Sequence, residues 1–401
     1  MTIKRTTLII ILLLTIVGLQ STKAGAAGLC VHPSGAGRCF TTIQSAIDAA
    51  SDGDRISIRG GTYAEQLTIY DKDLTLAGQS GAVITAPAGM QDTLSAVGGV
   101  EGRPIILVVE SEVTLKNLTI DGVNSAAANP FLDGIVFVNA GGVIQNNQVK
   151  NIGFGTPTLP IIDDYPSYQG NGIVIANMSG TPRTVTIEKN EIVGFNSVGI
   201  TVFANADPNN PAVATLTANI LDNKVVAQGG NDVIDQWGIF LGGYDFAEPQ
   251  YSVTGTIKGN KVRNVLTLSP YPLPGVGILT LYTYNVEIAD NEIEDSNVGL
   301  TANLAYNSRI AGNRIHGPQQ VPGSTGLILS GSDSSVQENR FKKLDLGLML
   351  LVDDPMFGSA TNISMENNEF DKVGLDALTG AVSFATFTAE RVELRPKFGP
   401  R

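Results

Sequence analysis

The chain has 401 residues, with 38 acidic against 26 basic side chains, a net charge of −12 and only two histidines. That balance excludes nucleic acid and anionic membrane surfaces as electrostatic partners, and it leaves little with which to build a zinc or copper site. Forty-five glycines, 6% aromatic and 16% charged residues suit many short strands joined by tight turns.

Lys4 and Arg5 precede an apolar run from Leu8 to Leu19 that ends in Ala24-Gly25-Ala26, which reads as a secretory signal peptide over residues 1–26. The run is shorter than the roughly 20 residues of a membrane span, so an uncleaved anchor is the secondary reading. Cleavage takes Lys4, Arg5 and Lys23 from the 26 basic residues and leaves 23 against 38 acidic ones, about −15. The expectation is a mature chain that is secreted, periplasmic or extracellular and free of the membrane. A polyanionic glycan would then be an awkward ligand unless calcium intervened. Cys30 and Cys39 are the two cysteines. In an exported chain they are expected to form a structural disulfide.

Within a cap spanning 27–55, Ile43, Ala46, Ile47 and Ala50 share one helical face, and Ser51-Asp52-Gly53-Asp54 ends that helix in a turn. Ile56 and Ile58, Leu67 and Ile69, and Leu74 and Leu76 then alternate as first strands, with Gly60-Gly61-Thr62-Tyr63 turning between them.

Further along, one box recurs eight times: an apolar residue, two variable ones, asparagine, one variable residue, another apolar residue. Ile144/Asn147/Val149 is the first copy and Met365/Asn368/Phe370 the last, with Asn190, Asn223, Asn260, Asn291, Asn313 and Asn339 between them. The asparagines lie 22 to 43 residues apart. Turns therefore vary in length while the strand-turn-strand unit does not, which marks a solenoid. Two reasons favour asparagine at the bend: it tolerates the left-handed backbone region, and stacked copies can hydrogen-bond amide to amide. A second element, glycine followed by an apolar strand, recurs at Gly172, Gly199, Gly238, Gly277, Gly326 and Gly347. Three short strands per turn of chain give a parallel β-helix of about 10–11 coils at roughly 4.8 Å each. The expected architecture is an all-β solenoid with an N-terminal capping helix, the coils occupying 56–388 and a polar tail 389–401.

On these boxes and glycines the chain resembles the right-handed parallel β-helix, pectin-lyase-like superfamily, over residues 40–385. Its opening, from Phe40-Thr41-Thr42-Ile43-Gln44 through Gly60-Gly61-Thr62-Tyr63 to Leu74-Thr75-Leu76-Ala77-Gly78, is similar to that of exported β-helix proteins including pectinesterases. Gln91-Asp92-Thr93-Leu94 matches four letters of the pectinesterase catalytic segment, but the second aspartate segment has no counterpart, so Gln91 and Asp92 read as turn residues. Polygalacturonase-like enzymes need paired aspartates and a histidine. Asp163-Asp164 is present, whereas His316 falls in a repeat box and is expected in a turn. Asp353-Asp354-Pro355 approaches the alginate-epimerase cluster, with Met356 where histidine would stand. No family motif is intact, and whether the chain is an enzyme stays open.

If the apolar residue after each strand glycine points inward, Val174, Thr201, Phe240, Leu279, Thr301, Ile328 and Met349 point outward from the same sheet, and none is charged. Specificity then belongs to the insertions, expected side by side along one flank. They could wall a groove with Asp163, Asp164 and Asp235 as candidate catalytic carboxylates. Tyr165, Tyr168, Phe203, Trp237, Phe240, Tyr244 and Asp245 would be the candidate sugar contacts. The expected partner is a polysaccharide or cell-surface glycan bound to a monomer, with no cofactor evident beyond a possible Ca2+. The sequence supports two functions: a carbohydrate-binding or carbohydrate-active protein, cleaving as a lyase or hydrolase, or a non-catalytic adhesin-like module.

Overall fold

The computed structural model describes residues 28–93, 102–122, 131–153, 170–204, 215–229, 236–243, 253–267, 274–318, 321–383 and 386–391. The expected signal peptide lies outside these residues, as does the tail beyond Arg391. Among the described residues, no helix is long and apolar enough to cross a membrane.

The repeating boxes fold into three parallel sheets, here called A, B and C in the order the chain visits them. Sheet B has 11 strands, from Gly61–Ala64 to Glu369–Asp371, and so counts 11 coils. The first apolar residue of each box joins one column on sheet A, where Leu115, Ile144, Ile187, Ile220, Ile257, Ile288, Ile310 and Val336 stand in register. The second joins a column on sheet B that runs from Ile120 and Val149 through Ile293 and Ile315 to Phe341 and Phe370. The residue after each strand glycine joins a column on sheet C, including Ile173, Ile200, Ile239, Ile278 and Leu300. These columns fill one continuous core. Each fully buried isoleucine or leucine contributes about 2 kcal/mol.

Asparagine was expected to supply the left-handed residue of the A-to-B corner, and there the structure differs. The positive φ belongs to the residue before each ladder asparagine: Asn146, Lys189, Asp222, Gly259, Asp290, Gly312, Glu338 and Asn367. That residue turns the chain, and the asparagine after it swings its amide into the corner. Asn147 Nδ2 donates to Asn190 Oδ1 at 3.1 Å, and the link repeats through every box to Asn339 and Asn368. Each amide also donates to a carbonyl of the preceding coil, as Asn223 does to Ile187 at 2.8 Å. Its oxygen accepts the backbone N–H of the preceding asparagine. Asparagine is selected for its amide, which offers donor and acceptor together.

The recurrent glycines answer a steric demand. A Cβ on Gly172, Gly199, Gly238, Gly277, Gly299 or Gly326 would lie 2.4–2.8 Å from the carbonyl oxygen of the next glycine in the column. It would also strike a core side chain of sheet B, such as Val262 at 2.4 Å from the site on Gly238.

At the N-terminus, Ile43, Ala46, Ile47 and Ala50 are buried as their spacing predicts. The helix Ile43–Ala49 is clamped at both ends: Glu65 accepts the N–H groups of Ile43 and Gln44 at 2.9 and 3.0 Å, and Lys72 Nζ donates to the Ile47 and Asp48 carbonyls. A carboxylate at the N-terminus and an ammonium at the C-terminus both complement the helix dipole. A short strand, Gly28–Val31, precedes the cap and pairs in parallel with Arg55–Ile58, an element without alternation to announce it. Cys30 and Cys39 are disulfide-bonded across a separation of 9 residues. At the far end, Thr386–Arg391 pairs antiparallel with Leu375–Ser383, so the last strand runs past the expected boundary at 388.

Candidate functional site

The A-to-B corner is always two residues long across the eight boxes, from Gln145 to Gln148 at the first and Glu366 to Glu369 at the last. Length variation is confined to the other two corners. Insertions 154–169, 230–235 and 268–273 fall between sheets B and C, while 205–214 and 244–252 fall between C and A. They connect to both ends of the sheet C strands rather than emerging along one flank.

The necks of these insertions are fixed to the rod. Asn297 Oδ1 accepts the N–H groups of Thr267 and Gly275, at 2.8 and 3.1 Å, on either side of 268–273. Asn177 Nδ2 donates to the carbonyl of Thr215, which ends 205–214, at 2.8 Å. Asn196 N–H reaches the carbonyls of Ile152 and Gly170 at 3.2 and 3.1 Å, drawing together the two sides of 154–169.

The outward row of sheet C is uncharged, as parity predicts, and mostly buried, with Leu279 and Ile328 partly exposed. Val136, Val174, Thr201, Phe240, Leu279, Thr301, Ile328 and Met349 follow one another in register. Leu107, Val136, Val174, Phe203 and Phe240 form a second hydrophobic cluster outside the main core. Phe203 and Phe240, expected as sugar-stacking rings, are 2% and 3% exposed and offer no face to a ligand. Trp237 is half-buried with its ring centroid 5.4 Å from that of Phe240, so this indole packs into the same cluster. Asp163, Asp164, Tyr165, Tyr168, Asp235, Tyr244 and Asp245 lie outside the described residues.

Three of the other residues singled out from sequence have structural surroundings. His316 sits on a strand of sheet B, not in a turn. Asp354 is buried and accepts the N–H groups of Met356 and Phe357, closing its own turn. Gln91 exchanges two hydrogen bonds with Gln66 on the neighbouring strand connection.

A carboxyl that sequence reasoning missed stands at the same B-to-C corner. Asp133 follows the buried Leu132 and precedes Gly134 of the glycine column, pairing in register with Pro104. Its Oδ1 accepts the backbone N–H of Asn171 at 3.1 Å and the Asn171 amide at 2.9 Å, and its Oδ2 lies against Gly102. Burial pushes this carboxyl up to about 7, against the pull of the two Asn171 hydrogen bonds. Asp92 is tied to Arg103, the residue before the Pro104 that pairs with Asp133. A hydrogen bond from Arg103 holds it below the ordinary carboxylate range. Gly102, Phe131 and Gly170, each within three residues of Asp133 along the chain or across the sheet, are also the edges of insertions 94–101, 123–130 and 154–169. The signal in the sequence was weak but present. In the column just before the strand glycines, most coils carry apolar residues such as Val198, Trp237, Val276 and Val298, and Asp133 and Asn171 break that rule.

Among the described residues no group of three or more histidine, cysteine, aspartate or glutamate side chains gathers as a metal site. Of the two carboxyls, Asp92 stays ionised at neutral pH, held by Arg103, while Asp133 is the one that gains and loses a proton near neutrality.

Residues 238–390 match the family model described as right handed beta helix region. No curated protein matches the sequence. Among solved structures, the chain is similar to PfbA, a surface adhesin of Streptococcus pneumoniae, at 13% identity over 84% of this chain and 88% of that one, with a TM-score of 0.49. It is similar to a polygalacturonase from Erwinia carotovora ssp. carotovora at 11% identity over 90% and 96%, with a TM-score of 0.47. The mannuronan C-5 epimerase AlgE6 A-module of Azotobacter vinelandii follows at 15% identity over 85% and 93%, with a TM-score of 0.43. The strand registers, with the region matched at 238–390, show the fold to be a right-handed parallel β-helix.

Proposed function

We propose that this chain is an exported protein that binds an extended, neutral or lightly charged polysaccharide across the flank of sheet C, and that Asp133 is the proton-transfer group of a glycan-cleaving site there. The observation that carries the reading is the placement of Asp133: its raised carboxyl stands among the edges of three insertions, on a strand paired with the one whose Arg103 holds the low carboxylate of Asp92. A carboxyl poised near neutral pH beside an ionised one is the arrangement acid-base chemistry on a glycosidic bond requires. On this reading the acidic and aromatic residues of the insertions, Asp163, Asp164, Tyr165, Tyr168, Asp235, Tyr244 and Asp245, are the hydroxyl acceptors and ring faces that a sugar would need.

A second reading, a non-catalytic adhesin-like rod, is favoured by the mostly buried and uncharged outward row of sheet C. A panel of polysaccharides, assayed for binding, new reducing ends and unsaturated products with calcium and with a chelator, separates the two. Turnover lost in Asp133→Asn, and weakened in Asp163→Ala, Asp164→Ala or Asp235→Ala with the fold retained, supports cleavage. Binding without turnover supports the rod, and neither binding nor turnover across the panel rejects the glycan reading.

A further inference from the structure

The outer face of sheet B carries two charged columns unlike anything on sheet C. One column runs Glu191, Lys224, Lys261, Glu292, Arg314, Arg340, Glu369, and the other ends in Arg263, Glu294, His316, Lys342, Asp371. Like charges thus stand directly opposite at Lys224/Lys261 and at Arg314/Arg340, an arrangement that destabilises a sheet unless each charge is turned to a partner. At the first pair it is: Lys224 binds Glu191 at 2.7 Å and Lys261 binds Glu292 at 3.2 Å. At the second only Arg340 has a carboxylate, Glu369 at 3.6 Å. Glu292, the neighbour of Arg314 in the column, is already engaged by Lys261 through one oxygen and Arg263 through the other. Glu294 is likewise turned to Arg263, at 3.0 Å. Arg314 and His316 make no ion pair or side-chain hydrogen bond with any described residue.

These residues line a depression of about 170 Å³ floored by Ile315 and walled by Glu292, Glu294, Arg314, His316, Arg340 and Lys342. Arg314 and Arg340 pair directly across adjacent strands, whose backbones lie about 4.8 Å apart. Their planar forks can both reach one oxyanion. The imidazole of His316, one residue column away, adds a further hydrogen-bond donor.

We propose that this notch is an oxyanion-binding site, distinct from the sheet C flank, in which Arg314 and Arg340 bridge one carboxylate or sulfate group with His316 beside it. The bound group does for Arg314 what Glu191 does for Lys224: it removes an unrelieved like-charge contact. The acidic net charge of the chain limits the ligand to one such group at a time, since a dense polyanion would meet Glu292, Glu294, Glu369 and Asp371 around the rim.

The test follows the His316 ring resonances by NMR during titration of the whole chain with sodium sulfate at constant ionic strength, against sodium chloride. A parallel titration uses a trisaccharide of galacturonic acid. The expected result is a saturable shift with sulfate, weakened at least tenfold in Arg314→Gln and in Arg340→Gln and unchanged in Lys224→Gln. A saturable shift with the trisaccharide as well assigns a saccharide-borne carboxylate, whereas a response to sulfate alone assigns a free oxyanion. In sulfate-free buffer Arg314→Gln should melt above the wild type, and sulfate should close that gap. No saturable shift with either probe, or one indifferent to both arginine substitutions, overturns the site.

Discussion

Replacing Asn223 by alanine tests whether the amide column holds the coils together. Asn223 sits mid-column at 1% exposure and makes four side-chain hydrogen bonds. Its Nδ2 donates to Asn260 Oδ1 at 3.0 Å and to the Ile187 carbonyl at 2.8 Å. Its Oδ1 accepts the backbone N–H of Asn190 and the Asn190 amide, each at 3.0 Å. After substitution Asn190 Nδ2 keeps the Ile144 carbonyl and Asn260 Oδ1 keeps the Asn223 N–H, so those two groups survive. The Asn190 N–H does not, while the Ile187 carbonyl falls back on the ladder of its own strand with Leu216–Leu221. A buried backbone group left unpaired costs about 1–3 kcal/mol before any loss of packing. Asn368 ends the column and is half-buried, so water replaces its partners, and Asn368→Ala should cost about 1 kcal/mol or less. Urea unfolding followed by circular dichroism measures both, and hydrogen exchange at the Asn190 amide reports the local loss. A cost below about 1 kcal/mol for Asn223→Ala, or one no larger than for Asn368→Ala, would refute the ladder as a stabilising element.

Gly238→Ala should be worse than any single ladder substitution. Its Cβ would lie 2.4 Å from both the Gly277 carbonyl oxygen and Val262 Cγ1, and the clashing backbone atom cannot move without opening the stack; loss of soluble folded protein, or a midpoint far below that of Asn223→Ala, is the expected readout. The raised carboxyl of Asp133 makes stability depend on pH in a defined direction. The folded chain holds the proton up to about 7, while the unfolded chain releases it near the ordinary aspartate value of about 3.9. The stability from this group is therefore complete below about 4 and lost as pH rises toward 7, so the wild type should have a higher urea midpoint at pH 5 than at pH 8, and Asp133→Asn should flatten that difference. Cys30→Ser with Cys39→Ser opens a loop spanning a separation of 9 residues; loop entropy puts the cost at about 2–3 kcal/mol, confined to the cap and read as faster hydrogen exchange over 28–58 with the central coils unchanged. Replacing 154–169 by a two-residue linker should leave the unfolding midpoint nearly intact, because a Cβ on Gly170 would lie 3.1 Å from Gly153 Cα and the ends of the excised segment already meet; glycan binding should fall in the same variant.

What was legible in the sequence is what repeats. Ile144, Asn147 and Val149 declared their sheets and their corner because seven other copies hold the same spacing, and a column of like residues is the physical consequence of stacking like coils. The cap helix was legible from Ile43, Ala46, Ile47 and Ala50 for the same reason of period. Elements that occur once were not: Gly28–Val31 has no alternation, and Thr386–Arg391 pairs antiparallel against the run of the fold. The role of asparagine was half read, since backbone tolerance and amide pairing both favour that residue, and only the dihedral angles assign the bend to its predecessor. Phe203 and Phe240 illustrate a different limit. Parity gave their direction correctly, but direction does not say what lies above a sheet, and these rings are buried on the outer side. Asp133 was passed over because a single carboxylate in a strand carries no periodic signal. Its meaning comes from burial and from the Asn171 bonds.

The three corners of each coil divide the work of the chain. The A-to-B corner is closed by amides that reach one coil up and one coil down, so an added residue there would displace an asparagine from a continuous column and break bonds on both sides. The B-to-C and C-to-A corners carry no such column. Each insertion is instead tied down locally, by Asn297 across 268–273 or by Asn177 at the end of 205–214, and a change in one leaves the next coil untouched. Long insertions therefore occur only at the two corners that join sheet C to its neighbours, where each can change in length without disturbing the next coil. Sheet B, with its corners short on one side and its face a lattice of paired charges, can recognise only where that lattice has a gap, and Arg314 beside Arg340 is such a gap.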